Sequence, residues 1–461
     1  MSKMTMATIP DKWRWFTESR YGLFIHWGPY AEYGRGEQVL FREHLDHREY
    51  EQASCNWNPK HYDPELWADI ARKAGVKYAC MTTRHHDGYC MWDTKYSDYS
   101  SARQAPKRDF VREFTDAFRA AGLRIGLYYS WLDWRIPAFF DGPERAPEEW
   151  EKMKHYMHDQ VEELLTGYGQ IDHFFFDGAW PRSVEELGSV ELLARMREWQ
   201  PDILVNNRLG KSMSGKLSAD GGLGAGESAT LGDFGTPEHT IVKDAGRLWE
   251  SCQVSTWRLW GYARGERWRS SETLLDMLCE CAEKGGDTGG NLLLNVGPQS
   301  DGQFPPEFVE RALEIGKWLE VHGEAIYGNE SGNLTEFVTR GRQTVKGNCV
   351  YLIIRFWDGR SELRLADLVT PVKRVTLLTT GQQLPFGQED SVLYIRGLPA
   401  ERPTKLFPVI RIECDGKPAT NQWGRERLWG GDPVRIAEWA RSRGNDFNAQ
   451  SFPDLRQKNE D

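Results

Sequence analysis

Residues 171–178 read Ile-Asp-His-Phe-Phe-Phe-Asp-Gly, an apolar run that ends on a carboxylate, Asp177, followed at once by glycine. An apolar run closed by a turn residue is the pattern of a buried strand. Such a strand tolerates a charge where it emerges, because an unpaired carboxylate in a core costs several kcal/mol. In a β/α barrel the carboxyl ends of the strands carry the catalytic groups. Taken alone, Asp177 reads equally well as the cap of the next turn or of a helix starting near Ser183.

The surrounding chain repeats the strand-then-helix rhythm. Strand-like runs fall at 21–28, 76–83, 123–130, 171–176, 203–207 and 291–296. Helical patterns fall at 64–74, with Asp63 as N-cap and Pro64 at the first position, and at 109–121, 148–165, 184–199, 271–283 and about 306–322. Strands alternating with helices pair in parallel, and seven or eight such units predict a (β/α)8-like barrel over residues 1–332. The stretch from Arg208 to Thr240, rich in Gly, Ser and Ala, reads as a long active-site loop or a mobile insertion. From 333 to 415 short β-rich runs separated by Gly, Asp and Pro predict a smaller C-terminal antiparallel β-sandwich. Residues 416–461 read as a polar tail, with one helical pattern near 433–442.

Bulk properties exclude several function classes. At 461 residues the chain is too long for one ordinary core. A formal charge of −10 without a Lys/Arg block argues against nucleic acid as a partner. The eight cysteines, at 55, 80, 90, 252, 279, 281, 349 and 414, form no Cys-x-x-Cys pair, so signals for disulfides and structural metal are weak. No segment approaches ~18 uninterrupted apolar residues, so no membrane partner is expected. The first fifteen residues hold no apolar h-region. The expectation is a cytoplasmic protein unless a signal has been removed, and a chain with its signal trimmed would read the same. Twenty Trp, seventeen Tyr and twenty Phe are unusually many, and aromatic faces suit the C–H faces of sugars as well as filling a core.

The reactive groups gather at the predicted strand ends. His26 ends the first strand, His85 and His86 follow the second, Tyr128 and Tyr129 close the third, Asp177 the fourth, and Arg208 the fifth. Core packing does not explain five successive strands ending in polar groups, so they imply a pocket. Two chemistries fit it. His26, His85, His86, Asp87 and Asp177 could ligate a divalent metal, although adjacent side chains rarely share one ion and no His-x-His spacing occurs. Alternatively Asp177 is one of the two carboxyl groups of a glycosidase, with the histidines and Arg208 hydrogen-bonding sugar hydroxyls.

An ordered set of motifs sharpens this reading. Phe-Ile-His-Trp-Gly-Pro-Tyr, Gly-Glu, His-His-Asp-Gly, Gly-Leu-Tyr-Tyr-Ser, Phe-Phe-Asp-Gly and Asn-Leu-Leu-Leu-Asn-Val-Gly-Pro follow one another. Together they resemble the α-L-fucosidases of glycoside hydrolase family 29 over about residues 11–330, and more loosely to about 415. The resemblance implies a barrel with a C-terminal β-sandwich, no metal and no cofactor, and exo-acting retaining double displacement on a fucosylated oligosaccharide or glycoconjugate. It implies that Asp177 is the nucleophile and that His26, His85 and His86 bind the sugar hydroxyls. Glu37 matches the glutamate of the Gly-Glu motif, Tyr128 a tyrosine near the nucleophile, and Arg208 an arginine on the next strand. Trp260 matches the aromatic that packs on the C6 methyl group. Glu238, in Gly-Asp-Phe-Gly-Thr-Pro-Glu, matches the segment that carries the acid/base in many members, with Glu227 and Asp220 as rivals. A loop glutamate suits a proton donor that approaches from outside the pocket, and a nearby Asp177 charge favours its protonated state.

Gln38 departs from the family, standing where many relatives have Trp, as does Phe175, which replaces another Trp. The loop before Glu238 is also longer than expected. An α-L-galactosidase and a catalytically silent sugar-binding protein are the competing readings. Linkage preference and homo-oligomerisation are left open by the sequence.

Overall fold

The computed structural model describes residues 9–210, 231–242, 247–330, 340–389 and 391–420. Eight strands build the main sheet: β1 (Tyr21–Ile25), β2 (Tyr78–Arg84), β3 (Arg124–Ser130), β4 (His173–Asp177), β5 (Leu204–Val205), β6 (Phe234–Gly235), β7 (Leu248–Val254) and β8 (Gly289–Val296). Their order is β5-β4-β3-β2-β1-β8-β7-β6, with the observed pairings parallel. The two ends meet through a parallel bridge between Asn206 and Phe234 and a hydrogen bond from Asp233 N to Val205 O at 2.7 Å. The sheet therefore closes into a barrel, as expected from the rhythm of the sequence.

Helices flank the strands, and the sequence chemistry that starts them is visible. In α1 (Pro64–Lys73) Asp63 accepts from Leu66 N at 2.9 Å, and in α2 (Phe110–Ala120) Asp109 accepts from Arg112 N at 2.8 Å. Phe110, Val111, Phe114 and Phe118 of α2 recur at helical spacing and are all buried. α3 (Pro147–Gly167), α4 (Ser189–Trp199), α5 (Ser271–Gly285) and α6 (Pro306–His322) follow. The helix expected over 184–199 is two helices, because Gly188 takes a left-handed φ of 62° and ends the short first piece, Val184–Leu187.

Two strands of the barrel escaped the sequence reading. β6 has two residues and lies inside the stretch expected to be a loop. β7 carries Glu250, Ser251 and Gln253, yet all seven residues are buried. Polar residues are admitted there because the barrel interior supplies partners. Glu250 accepts from Tyr78 Oη at 2.6 Å and lies 2.9 Å from His173 Nε2. His173 is thus a polar group in the middle of the opening apolar run, where the sequence suggested that only the end could be polar.

By contact the chain divides into two compact units, residues 1–332 with 344–346 and 404–409, and residues 333–343, 347–403 and 410–461. Beyond the barrel, β9 (Gly341–Lys346), β10 (Cys349–Ile354), β11 (Glu362–Leu365), β12 (Val372–Leu377), β13 (Gln382–Gln383), β14 (Phe386–Glu389), β15 (Val392–Arg396) and β16 (Val409–Cys414) form two sheets. Their orders are β13-β12-β16-β10-β9 and β11-β15-β14. Antiparallel register joins β12 to β13 and β16, and β15 to β11 and β14. The helical pattern near 433–442 lies outside the described residues.

Candidate active site

Asp177 is the last residue of β4, opposite Ser130 in the register with β3. Tyr128 Oη donates to its Oδ2 at 2.9 Å and Arg208 Nη1 to its Oδ1 at 2.8 Å. Burial pushes its carboxyl toward the neutral form. The Arg208 guanidinium charge, with these hydrogen bonds, outweighs that and holds its pKa below the ordinary aspartate value. The bland reading of Asp177 as a helix cap is overturned. Ser183 caps the following helix itself, exchanging hydrogen bonds with Glu186 in a capping box. Gly178 makes the tight exit possible. Its φ is +70°, and a Cβ there would meet Leu132 Cβ at 2.9 Å and His86 Cε1 at 3.0 Å.

The three histidines converge beside this carboxylate. Rings of His85 and His86 are 4.2 Å apart, and those of His26 and His85 5.7 Å. Burial lowers the pKa of each, that of His26 to about 3, so all three are neutral near pH 7. Two tautomers follow from their partners. Asn295 Nδ2 donates to Trp260 O at 2.7 Å, which leaves Oδ1 to accept from His26 Nδ1 at 2.7 Å. Ser130 Oγ donates to Leu132 O at 2.6 Å, so it accepts from His86 Nδ1 at 2.7 Å. Both imidazoles therefore carry their proton on Nδ1 and present a lone pair at Nε2. His86 Nε2 lies 3.7 Å from Asp177 Oδ2. His85 stacks on Tyr128 with centroids 5.7 Å apart and planes at 11°.

Arg208 follows β5 and joins the two carboxylates. Besides Asp177, it reaches Glu238 Oε2 from Nη2 at 2.9 Å, and its Nε donates to Thr236 Oγ1 at 2.9 Å. Phe175 lies beneath the guanidinium, 5.1 Å from its carbon. Glu238 is fixed to the barrel by a parallel bridge to Cys252 on β7, with Cys252 N donating to Pro237 O at 3.1 Å and His239 N to Cys252 O at 3.2 Å. Glu238 is thus tethered despite lying in a segment that reads as loop. The rivals Glu227 and Asp220 lie outside the described residues.

Trp260 forms another wall, its ring 5.1 Å from those of both His26 and His239. Glu37 holds it in place, since its Oε2 accepts from Trp260 N at 3.1 Å and Gly261 N at 2.9 Å. This buried carboxylate, whose pKa burial raises, positions the Trp260 backbone. The set named as metal ligands does not assemble. Asp87 Oδ2 accepts from Tyr50 Oη at 2.7 Å, and its carboxyl, pushed up to about 6 by burial, belongs to that packing. Among the described residues no three His, Cys, Asp or Glu groups are placed to hold a metal ion.

Sequence reasoning brought nine residues to one site: in the structure Tyr128, His86 and Arg208 adjoin Asp177, His26, His85 and Glu238 adjoin these, and Trp260, held by Glu37, adjoins His26. It missed the assignments of Asn295, Ser130 and Thr236. Asn295 and Ser130 are each the terminal or penultimate residue of a strand-end motif, and Thr236 lies two residues before Glu238. Those positions were the available signal.

A barrel whose strand ends gather two carboxyl groups on one arginine, three neutral histidines and a tryptophan wall is built to hold a polyol with one apolar face. Similarity to known proteins agrees. The family model for alpha-L-fucosidase matches residues 4–324. The chain is 34% identical to the structure of alpha-L-fucosidase isoenzyme 1 from Paenibacillus thiaminolyticus, covering 88% of this chain and 99% of that one with a TM-score of 0.78. It is 29% identical to tissue alpha-L-fucosidase of Bos taurus, over 86% of this chain and 88% of the relative. A structure of a GH29 alpha-L-fucosidase from Bacteroides thetaiotaomicron, trapped as a covalent intermediate with 2-fluoro-fucosyl fluoride, is 26% identical with a TM-score of 0.78, covering 90% and 98% of the two chains. With a barrel of this architecture, and a match that spans most of it, the chain belongs to the α-L-fucosidase family of glycoside hydrolases.

Proposed function

We propose that the protein is an exo-acting, retaining α-L-fucosidase that releases terminal L-fucose from glycans or oligosaccharides, with Asp177 as nucleophile and Glu238 as acid/base. The observation that carries this reading is one guanidinium, Arg208, bonded at 2.8 Å to Asp177 and at 2.9 Å to Glu238. In the first step Asp177 attacks the anomeric carbon while Glu238 gives its proton to the glycosidic oxygen. The carbon–oxygen bond breaks, the aglycone leaves as an alcohol, and the sugar is an ester of Asp177. In the second step Glu238, now a carboxylate, takes a proton from water, whose oxygen displaces Asp177. One negative charge disappears from Asp177 as one appears on Glu238, and Arg208 touches both. Arg208 thus adjoins the negative charge before and after its transfer from one carboxyl group to the other, which limits electrostatic reorganisation.

The neutral histidines supply lone pairs to sugar hydroxyls, and Trp260 offers an apolar face to the C6 methyl group. A galactose-type C6 hydroxyl buried against it without a partner costs ~1–3 kcal/mol, which favours the 6-deoxy sugar. Alanine at Glu238 tests the role directly. Glu238→Ala is expected to cripple turnover of fucosides with poor leaving groups, which need its proton, whereas on an activated aryl fucoside azide should accelerate turnover by attacking the fucosyl ester, with α-L-fucosyl azide as product. Near-normal turnover of natural oligosaccharides by that variant is the result that defeats the assignment.

A further inference from the structure

We propose that Phe41, Trp134 and Trp180 form an aromatic platform for the leaving sugar, the aglycone ring next to the fucose. This rests on the fucosidase reading above and extends it to what the enzyme accepts beyond the scissile bond. Phe41 is 60% exposed and Trp180 45% exposed, although both are large apolar side chains. Neither is isolated. Phe41 stacks on Trp134 with centroids 5.6 Å apart and planes at 16°. Trp134 lies 5.5 Å from the His86 ring and Trp180 lies 5.6 Å from it. His86 in turn stands 3.7 Å from Asp177. The two indoles thus stand beside a histidine that borders Asp177, whose partner Arg208 reaches Glu238.

The chain origin of these rings fits an outer subsite. They come from the segments after β1, β3 and β4, at the same barrel end as the site. Trp260, which walls the fucose position, contacts His26 and His239 instead, so the platform is a separate surface. It is also rigid. Trp134 N donates to His86 O at 2.9 Å, and its indole packs on the buried cluster of Tyr30, Val39, Leu40 and Tyr50. Its neighbours Asp133, fully buried, and Arg135 pair at 2.8 Å and clamp the turn. Fixed aromatic faces beside a sugar-cleaving centre match the apolar C–H face of a pyranose, and rings held in advance bind it with little ordering cost.

The comparison of α-L-fucosyl fluoride, which has no aglycone ring, with a fucosylated oligosaccharide tests this. For Trp180→Ala and Phe41→Ala, the ratio of kcat/KM on the oligosaccharide to kcat/KM on the fluoride should fall at least about tenfold against wild type. Trp180→Phe should recover most of the ratio. Phe41 is mostly exposed, so its variant reports on binding even if Trp180→Ala folds poorly. An unchanged ratio in both alanine variants, whether both rates hold or both fall together, overturns the platform. A wild type that turns over neither substrate defeats the fucosidase reading itself and the platform with it. Turnover of the fluoride with an unchanged ratio defeats the platform alone.

Discussion

His86 hangs on a relay of two hydrogen bonds, through Ser130 Oγ to Leu132 O, that decides which of its nitrogens carries the proton. The same logic, through Asn295, fixes His26. In the proposed fucose complex both rings therefore accept hydrogen bonds from the sugar. Fluorine accepts but does not donate. A fucoside fluorinated at a hydroxyl that meets either histidine should bind no better than the deoxy sugar, with each losing about tenfold or more in affinity. Inhibition constants for a set of deoxy and fluoro analogues check this, and a fluoro sugar that binds as well as fucose at every position contradicts it. Gly178→Ala should be destabilising by about 1–3 kcal/mol, because the new methyl meets Leu132 and His86 in a left-handed conformation. Urea unfolding would show it, together with a loss of activity as His86 is displaced. Stability within a few tenths of a kcal/mol of wild type would mean the turn relaxes freely.

At the scale of elements, legibility in the sequence tracked whether polar residues lie at a strand's end or inside the barrel. β1 to β4 read correctly because their interiors are mostly apolar and their polar groups are terminal. β7 was invisible because Glu250 and Gln253 break the apolar run, and only the closed barrel brings Tyr78 and His173 to Glu250. No local pattern encodes a partner that is 172 residues away in the chain. The site was legible for a related reason. Asp177, His26 and Arg208 sit at strand ends whose positions the rhythm fixes, whereas Glu238 depends on a bridge to β7 that could not be foreseen. The β7 network should matter to the barrel. Glu250→Ala leaves two fully buried partners without an acceptor and should cost about 3 kcal/mol or more. Equilibrium unfolding measures it, and a cost below about 1 kcal/mol would show that the network adds little.

For the whole molecule, burial of three neutral histidines makes stability depend on pH. Their pKa values are lowered in the folded state, so below about 6.5, the ordinary histidine value, the unfolded chain binds more protons than the native one. Stability is then complete above that pH and falls as the medium is acidified, with His26 continuing to contribute down to about 3. The lowered pKa values of His158, His239 and His322 add to the effect, while the raised carboxyl pKa values of Asp87, Glu37 and Asp109 oppose it by favouring the folded state at lower pH. The sum of six histidines against three carboxyl groups predicts a lower urea midpoint at pH 5 than at pH 7, and an equal or higher midpoint at pH 5 would contradict it. The same burial sets the pocket in which Asp177 keeps its charge, and that charge is the centre of the mechanism. Incubation with 2-deoxy-2-fluoro-α-L-fucosyl fluoride followed by peptide mass spectrometry tests it most directly. A single fluorofucosyl ester on Asp177 is the predicted result. An ester on Glu238 or another carboxylate, or inactivation without any adduct, would contradict it.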